Sequence, residues 1–316
     1  MNIDTTPPRI GWVYMTIAIM GYSLVAIFSK KILDDGFPVL DLAIWRFVIA
    51  VPVMWLIIVG RNAVTPTKSK KQPRPIGLLL IGLFISMSAL TSFASLERID
   101  ASVFMVLFFT FPAIVALLSL FRGERLTTQG WLALAMTMVG VVLTAPGFFS
   151  GFGDGDAVGI FMALLSAFVV AVYFMFNPRA MRGYTDRAQA SAWATTGALL
   201  PLIGLAAVRG VDTPAEMSLW PLIIGLATIS TALAIFSLMA SITYLGPTRT
   251  AILSTAELPL SIILAVVLLG ESIAPIQIFG SILVMVALVL LNVPVKSLRP
   301  IADALTHAER AGSTVR

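Results

Sequence analysis

The chain has 316 residues, of which 58% are hydrophobic and only 12% are charged, and its mean hydropathy is +0.96. A soluble domain of this length normally uses Asp, Glu, Lys and Arg for about 25% of its residues, because it has a surface to cover. The composition therefore excludes an ordinary soluble protein and indicates one embedded in lipid. The chain has no cysteine, which excludes disulfides, a thiol nucleophile and a thiolate metal site.

Ten apolar runs have roughly the length of about 20 residues that a helix needs to cross a bilayer. The period-two alternation typical of barrel strands is missing, and backbone polar groups in lipid must be satisfied within the segment. The sequence therefore predicts an all-α integral membrane protein with ten transmembrane helices. In chain order the predicted spans are Ile10–Phe28, Leu42–Val59, Ile76–Leu96, Ala101–Leu120, Trp131–Pro146, Val158–Phe176, Ala190–Val208, Leu219–Tyr244, Thr248–Leu269 and Pro275–Val293.

Basic residues predict the orientation of these spans. Most Lys and Arg residues outside the spans fall on the side that holds both termini, above all in the loop "GRNAVTPTKSKKQPRP". Lys30 and Lys31 argue the other way but are outnumbered, so the positive-inside rule places both termini in the cytoplasm. We expect a multi-pass protein of a bacterial-type inner membrane. The formal net charge of +5 is then explained by topology and by contact with the lipid bilayer, and no nucleic-acid partner is expected.

The chain contains an internal repeat. A shift of 147 residues superposes Pro112 on Pro259 and Gly123-Glu124 on Gly270-Glu271, and upstream a shift of 148 superposes Trp45 on Trp193. Each copy holds five spans, and because five is odd the second copy is predicted to be inverted in the membrane. Inverted repeats are typical of secondary transporters, which bind substrate near the midplane between the repeats. The predicted plan is an N-terminal tail (1–9), a first repeat (10–147), a Gly-rich linker (148–157), a second repeat (158–294) and a C-terminal tail (295–316).

The segments "TFPAIVALLSLFRGERL" and "ELPLSIILAVVLLGESI" each place a Pro inside the fourth helix of a repeat and Gly-Glu at its end. With two five-helix copies, this pattern resembles the EamA family of the drug/metabolite transporter superfamily. The resemblance covers nearly the whole chain apart from the tails. It implies a ten-helix carrier, in a family where many members export amino acids and other small metabolites, with a central cavity framed mainly by helices 1, 3, 4, 6, 8 and 9.

Glu257 lies about nine residues into the ninth predicted span, near the midplane. An acidic residue at that depth costs about 2.5–3.5 kcal/mol to insert, so it should face the bundle interior or a water-filled cavity. We interpret it as a group that binds a substrate ammonium or carries a coupling proton. A hydrogen bond that merely fastens two helices is the alternative. Pro259 and its repeat counterpart Pro112 are predicted gating or hinge positions.

Further polar and aromatic residues fall at mid-span depth, in the helices that the resemblance assigns to the cavity. Singly, each Ser or Thr is more typical of helix packing; as a set they are candidate substrate-binding or proton-binding residues. Arg46 is interpreted as an anchor whose side chain reaches the interface, with Asp41 or Glu257 as a hypothetical partner. Asn177-Pro178 is expected to end the sixth span. The candidate set is Glu257, Tyr22, Ser23, Ser88, Thr91, Phe108, Tyr173, Ser230, Thr231 and Ser254.

The sequence thus predicts a secondary-active exporter of small metabolites such as amino acids, working by alternating access. No phosphate-binding G-x-x-x-x-G-K-[ST] motif supports ATP-driven pumping. A membrane-embedded enzyme and a non-transporting membrane component are the alternatives from other classes; within transport, efflux of drug-like organic cations and metabolite uptake stay open. No catalytic residue, cofactor or metal is expected, since the sole histidine, His307, lies in the tail. The expected partners are a small-molecule substrate and lipid, with a homodimer left open.

Overall fold

The computed structural model describes residues 9–64, 74–96, 98–99, 101–123, 126–144, 157–270 and 274–292. Within these ranges the regular structure is helical, without a strand. Eight helical segments are long and apolar enough to cross a membrane, and α6 and α13 are two shorter apolar helices, which confirms the predicted all-α membrane fold. The helices are α1 (Arg9–Asp34), α2 (Val39–Val64), α3 (Ile76–Leu96), α4 (Ala101–Phe108), α5 (Phe111–Phe121), α6 (Thr128–Thr144), α7 (Ala157–Ala180), α8 (Arg187–Arg209), α9 (Trp220–Ala227), α10 (Ala234–Leu245), α11 (Pro247–Ser254), α12 (Glu257–Leu269) and α13 (Pro275–Asn292).

Three spans consist of more than one helix. Span four joins α4 and α5, and span nine joins α11 and α12. Span eight runs from a short 3₁₀ turn at Met217–Leu219 through α9, a π turn at Thr228–Leu233, and α10. Each other span is a single helix, so spans one to three are α1 to α3, span five is α6, spans six and seven are α7 and α8, and span ten is α13.

The sixth span does not end at Asn177-Pro178 as expected. Helix α7 continues through Pro178 to Ala180, and the Met181 N–H still donates to the Asn177 carbonyl at 3.0 Å. Asn177 is buried, and its Nδ2 donates to the Met239 carbonyl on α10 at 3.2 Å. A single proline removes one backbone donor from a helix, and here the helix continues for a further half-turn beyond it.

The packing of the spans repeats between the two halves of the chain. Span three packs against spans six and seven, and correspondingly span eight packs against spans one and two. Spans four and six are neighbours, as are spans nine and one, while spans five and ten pack against each other. Exchanging each of the first five spans with the one five places later therefore reproduces the same set of neighbours. The two halves interlock, since span one contacts span eight more than its own repeat.

Glycines at the ends of equivalent spans show the same relationship. Gly36 and Gly183, which are 147 residues apart, both have a φ of 80° in the loops after spans one and six. Gly123 and Gly270, also 147 residues apart, have φ values of 78° and 70° after spans four and nine. Residues with a Cβ are strained at such angles, whereas glycine adopts them freely. The repeats thus share turn geometry as well as helix order.

Spans four and nine break at positions that agree to within one residue under the 147-residue shift. The break in span four lies at Phe109-Thr110, and the break in span nine lies at Thr255-Ala256. At each break a threonine hydroxyl donates back to a carbonyl three residues earlier, from Thr110 to Leu107 and from Thr255 to Ile252, both at 2.6 Å. Pro112 and Pro259 follow within the first turn of the next helix, where the missing N–H costs least.

Glycines bring other helix pairs into backbone contact. Gly82 on α3 lies against the Ala194 carbonyl of α8, and Gly197 on α8 lies against Leu79 of α3. Gly140 and Gly280 join α6 to α13 in the same way. Small residues permit such close approach between membrane helices.

The outside of the bundle is apolar. Leu56, Val208 and Val267 are 70%, 88% and 72% exposed, as lipid-facing residues are. An apolar groove of about 470 Å³ between α12 and α13 is lined by Pro259, Ile263 and their neighbours. Because its walls are almost wholly apolar, this groove suits lipid acyl chains rather than a polar solute.

Candidate functional site

Three ionisable side chains from three different spans lie within electrostatic range of one another inside the bundle. Arg46 on α2 interacts electrostatically with Glu257 on α12 and with Tyr22 on α1, and Tyr22 also interacts with Glu257. Tyr173 on α7 interacts with Tyr22 and adds a fourth span to the cluster. Arg46, Glu257 and Tyr22 are only half-buried, so each keeps side-chain surface that a ligand or water can reach.

The break in span nine determines where Glu257 lies. Because α11 ends at Ser254, Glu257 becomes the first residue of α12 rather than a residue in mid-helix. At this start the N–H groups of Leu258 and Leu260 donate to the Thr255 and Ala256 carbonyls, at 3.1 and 3.3 Å, and Pro259 has no N–H. The break therefore places Glu257 at the junction of α11 and α12, where the next three residues offer its carboxylate no free backbone N–H.

Helix α1 holds the start of α12 through hydrogen bonds. The Ser23 hydroxyl lies 2.8 Å from the Ile19 carbonyl and 3.2 Å from the Glu257 carbonyl, and the Ser261 hydroxyl lies 3.4 Å from the Ser23 carbonyl. Gly21 lies close to span eight, where a Cβ would come within 3.0 Å of the Ile229 carbonyl. The segment Gly21–Ser23 therefore contacts both the π turn of span eight and the start of α12.

The π turn of span eight binds Arg46. The Arg46 Nε donates to the Thr231 hydroxyl, and Nη2 donates to the Ser230 carbonyl at 3.4 Å. The Thr231 hydroxyl in turn donates to the Leu226 carbonyl at 2.8 Å, five residues earlier. Single π turns inside helices are rare and are often found at functional sites. Here the turn supplies two acceptors to one guanidinium group.

Arg46 is not the simple anchor that its sequence position suggested. Its guanidinium group contacts span eight inside the bundle. Asp41, one of its two hypothetical partners, is buried and pairs instead with Arg209, while also accepting the Asp212 N–H at 3.3 Å. Glu257, the other, is within electrostatic range of Arg46, but among the described residues the two side chains form no ion pair.

Six of the predicted site residues lie in or beside this cluster. They are Glu257, Tyr22, Ser23, Tyr173, Ser230 and Thr231. Ser230 is buried, and its hydroxyl has no hydrogen-bond partner in the described part of the chain, although its carbonyl accepts from Arg46.

Ser88, Thr91 and Ser254 form local or interhelical hydrogen bonds instead. The Ser88 hydroxyl lies 2.9 Å from that of Ser166 and joins α3 to α7. Thr91 donates to the Met87 carbonyl at 2.8 Å, and Ser254 donates to the Ala251 carbonyl at 2.7 Å, both within their own helices. Their assignment to substrate binding stays a prediction.

Phe108 belongs to an aromatic row that leads toward the cluster. Its ring centroid lies 5.5 Å from that of Phe104 and 5.7 Å from that of Phe111. Phe111 lies 5.4 Å from Phe174, which lies 5.6 Å from Tyr173. The row gives spans four and six a continuous apolar wall beside the ionisable groups.

Sequence reasoning did not include Arg46 among the binding candidates. Besides Glu257, it is a charged residue inside a predicted span, and a shift of 148 residues places it opposite Ala194 in the second repeat. A charge that is present in one copy of a repeat and absent from the other indicates a role beyond the shared fold, and this signal could have identified Arg46. The π turn left no comparable signal, since "TISTAL" is an ordinary membrane-helix sequence.

Comparison with known proteins identifies the family of this chain. The sequence profile of the EamA-like transporter family matches the chain twice, at residues 9–145 and 157–293. The chain is 24% identical to the uncharacterized transporter YcbK of Bacillus subtilis over 278 residues, which cover 85% of this chain and 88% of YcbK. It is 28% identical to the uncharacterized transporter sll1319 of Synechocystis over 289 residues, covering 87% and 84% of the two chains.

A solved crystal structure shares the fold, with a TM-score of 0.73 over 89% of this chain and 95% of the other, at 20% identity. An identity this low bears on the fold alone. The two family matches, in contrast, extend over nearly all of the sequence. The chain belongs to the EamA-like transporter family.

Proposed function

We propose that this membrane transporter is a secondary-active exporter of small metabolites such as amino acids. Glu257, inside a bundle of apolar helices, carries the proposal. It lies at a helix break, half-buried, beside Arg46 and Tyr22 from two other spans. Ionisable groups at such depth are expensive to insert and are typically found on substrate or proton pathways. We assign Glu257 to binding a substrate ammonium or the coupling proton.

Alternating access is the proposed mechanism. Spans four and nine break within one residue of repeat-equivalent positions, and the first turns after the breaks carry the equivalent prolines Pro112 and Pro259. Discontinuous helices of this kind surround the substrate sites of other carriers with inverted repeats. Two equivalent hinges on opposite repeats would let the halves rock about a central cavity, so that the Glu257 cluster faces one side of the membrane at a time.

The competing functions predict different observations. A membrane-embedded enzyme would change its substrate chemically, whereas a carrier releases it unaltered. An exporter of organic cations would need negative charge without a facing guanidinium group, and Arg46 disfavours such a ligand by repulsion. The apolar ring of Phe174 beside Tyr173, and the hydroxyl groups of Ser23 and Thr231, are surroundings that suit small amphiphilic metabolites.

Cellular efflux tests this proposal. A strain that expresses the protein is challenged with toxic analogues of amino acids and nucleobases and with cationic dyes, and release of radiolabelled solute from loaded cells is measured. We expect protection against metabolite analogues, with the solute recovered outside the cell chemically unchanged.

Cells with the empty vector and cells that express Glu257→Gln at equal membrane levels are the controls. Protection against cationic dyes alone would show that the substrates are organic cations and not metabolites. Recovery of a converted solute would favour an enzyme. Equal release from the vector control would reject transport.

A further inference from the structure

Arg46 and Glu257 lie in one cluster without contacting each other directly, and they carry opposite charges when Glu257 is ionised. They interact electrostatically, yet among the described residues neither is part of an ion pair with the other. Opposite charges buried close together normally pair, since an ion pair with good geometry offsets part of the desolvation cost of both groups. Two charges that stay apart are both available to a ligand.

Arg46 has hydrogen-bond donors left over. A guanidinium group carries five N–H donors, and within the described ranges Arg46 uses one on Nε for Thr231 and one on Nη2 for the Ser230 carbonyl. These two bonds fix the plane of the group against span eight. The remaining donors lie on the Nη atoms of a half-buried side chain. A fixed guanidinium group with free N–H donors matches a carboxylate, which it binds through two parallel hydrogen bonds.

The fold itself does not require Arg46. In the repeat-equivalent interface between α3 and α8, Ala194 occupies the place of Arg46 and Gly82 that of Ser230, and the backbones there are in direct contact. The same pair of spans therefore packs without any charge in the other half of the protein. Arg46 replaces a tight backbone contact with a half-buried cation inside the bundle, and charged side chains are costly to insert in a membrane span. A role beyond packing explains that cost.

Charge balance selects among ligands. With Glu257 ionised, the Arg46–Glu257 pair is neutral overall but strongly polar. An anion bound to Arg46 would be repelled by the nearby Glu257 carboxylate. A cation bound to Glu257 would be repelled by the Arg46 guanidinium group. A ligand with both charges, oriented in the opposite sense, is attracted at each end.

We propose that Arg46 binds the carboxylate of a small zwitterionic substrate whose ammonium group faces Glu257. This proposal rests on the transport function proposed above. Thr231 and Ser230 act as positioning residues, since they hold Arg46 in place through their oxygen atoms. Tyr22, which interacts with both charges, lies beside the bound molecule.

The test uses the full-length protein in proteoliposomes loaded with matched solutes. Alanine, leucine and phenylalanine are compared with their amides, which lack the carboxylate, and with the corresponding acids, which lack the amino group. Nucleobases and a cationic dye complete the panel, and release is followed by mass spectrometry. We expect release of at least one amino acid, at least about tenfold faster than its amide or its deaminated acid, because each charged hydrogen-bond pair contributes that much discrimination.

Variants at position 46 separate binding from folding. Arg46→Gln should slow amino-acid release about tenfold or more. The protein's preference for the amino acid over its amide should also decrease, because the positively charged amide is no longer repelled by Arg46. Arg46→Lys keeps the charge but loses the bidentate geometry, so it should be slower than wild type while still excluding the amide. Arg182→Gln, an exposed loop arginine, is the matched control and should behave as wild type. Each variant is checked for a monodisperse elution profile in detergent.

The outcomes distinguish this proposal from the underlying function. Release of nucleobases, amides or dye in place of zwitterions would overturn the role of Arg46 and leave transport intact. The same holds if folded Arg46→Gln or Arg46→Lys protein transports amino acids with the wild-type rate and selectivity. If wild-type vesicles release no solute of any class, the transport function fails and the Arg46 proposal fails with it.

Discussion

Arg46 of the first repeat donates a hydrogen bond to the Ser230 carbonyl of the second repeat, across the interface between spans two and eight. A shift of 148 residues converts this pair into Ala194 and Gly82, which face each other across the interface between spans seven and three. There the Ala194 carbonyl lies directly against Gly82, without room for any side chain. The two interfaces are equivalent in position, but one contains a charged side chain and the other is closed by backbone contact.

This difference explains how a two-fold scaffold produces an asymmetric site. Gly82 and Gly197 close one interface by backbone contact, whereas Arg46 and the π turn occupy the other. Glu257 is likewise confined to one repeat, because a shift of 147 residues aligns it with Thr110. Both repeats contain a helix break. The two charges that would recognise a substrate, Arg46 in the first repeat and Glu257 in the second, have no charged counterpart in the other repeat. In the proposed mechanism the shared breaks would supply the motion, and the asymmetric substitutions would supply the binding chemistry.

Glu257→Gln is expected to abolish transport or to remove its dependence on pH. The amide keeps the shape and hydrogen-bonding capacity of the side chain but can neither titrate nor neutralise an ammonium group. Initial rates of solute release from proteoliposomes, measured across a range of pH, test this. Arg46, Tyr22 and Tyr173 are the other ionisable groups of the cluster and are left unchanged in the variant.

Glu216→Gln is the matched control for Glu257, since Glu216 is exposed beside the start of span eight and bonds only to Ser218 locally. Its rates and pH profile should equal those of the wild type. A Glu257→Gln protein with a wild-type profile would show that the carboxylate only fastens helices together.

Thr231→Val should destabilise the protein and slow transport. Valine has nearly the same shape, but it removes both the acceptor for Arg46 Nε and the donor to the Leu226 carbonyl. Leaving a buried donor unsatisfied costs about 1–3 kcal/mol, so the melting temperature in detergent should fall. Thr231→Ser retains the hydroxyl and should recover most of the loss.

Thr228→Val serves as the control within the same π turn. Thr228 is more exposed, and its hydroxyl bonds only to the Ile224 carbonyl of its own helix. Its melting temperature should stay near that of the wild type. An equal fall for both variants would mean that the π turn tolerates no valine, and that the Arg46 contact contributes nothing of its own.

Long apolar runs and the repeat could be predicted from the sequence because both depend on local composition. A membrane segment must satisfy its own backbone, so length and hydropathy alone identify a helix. Pro112, Pro259 and the Gly-Glu pairs identified the repeat through their order along the chain. Each of these signals is present in a short window and needs no knowledge of which helices are neighbours.

Side-chain partners could not be predicted, because these helices are apolar on all sides. A soluble helix reveals its buried face through its polar face, but α2 and α3 carry no such contrast. Ser88 and Thr231 therefore looked alike in the sequence, although one joins two helices and the other accepts a bond from Arg46. Their difference arises from the packing of spans that are distant in the chain.

Gly197→Ala should disrupt the contact between α3 and α8. An added Cβ at Gly197 would overlap the backbone of Leu79, which cannot yield as a flexible side chain can. Overpacking of this kind typically costs about 1–3 kcal/mol and forces the helices apart. The expected result is a lower yield of monodisperse protein and a lower melting temperature.

Gly204→Ala on the same helix has open space around it and is the matched control. It should melt at the wild-type temperature or slightly above, since alanine favours the helix more than glycine. If both variants melt together with the wild type, the two helices do not approach each other as closely as the structure indicates.

Labelling of Asp35→Cys and Arg182→Cys from opposite sides of the membrane is the expected signature of inverted repeats. These positions are exposed, lie 147 residues apart, and precede the equivalent glycines Gly36 and Gly183. Because the native chain has no cysteine, each variant carries a single thiol for a membrane-impermeant maleimide. The positive-inside rule places position 182 in the cytoplasm and position 35 outside.

Intact cells should therefore be labelled at position 35 only, and inside-out vesicles at position 182 only. Permeabilised cells, in which both variants should react, control for the accessibility of each thiol. Labelling of both positions from the same side would mean that the repeats run in parallel. In that case Arg46 and Glu257 would still belong to one cluster, but equivalent breaks in spans four and nine would face the same side of the membrane and could not open alternately to its two sides.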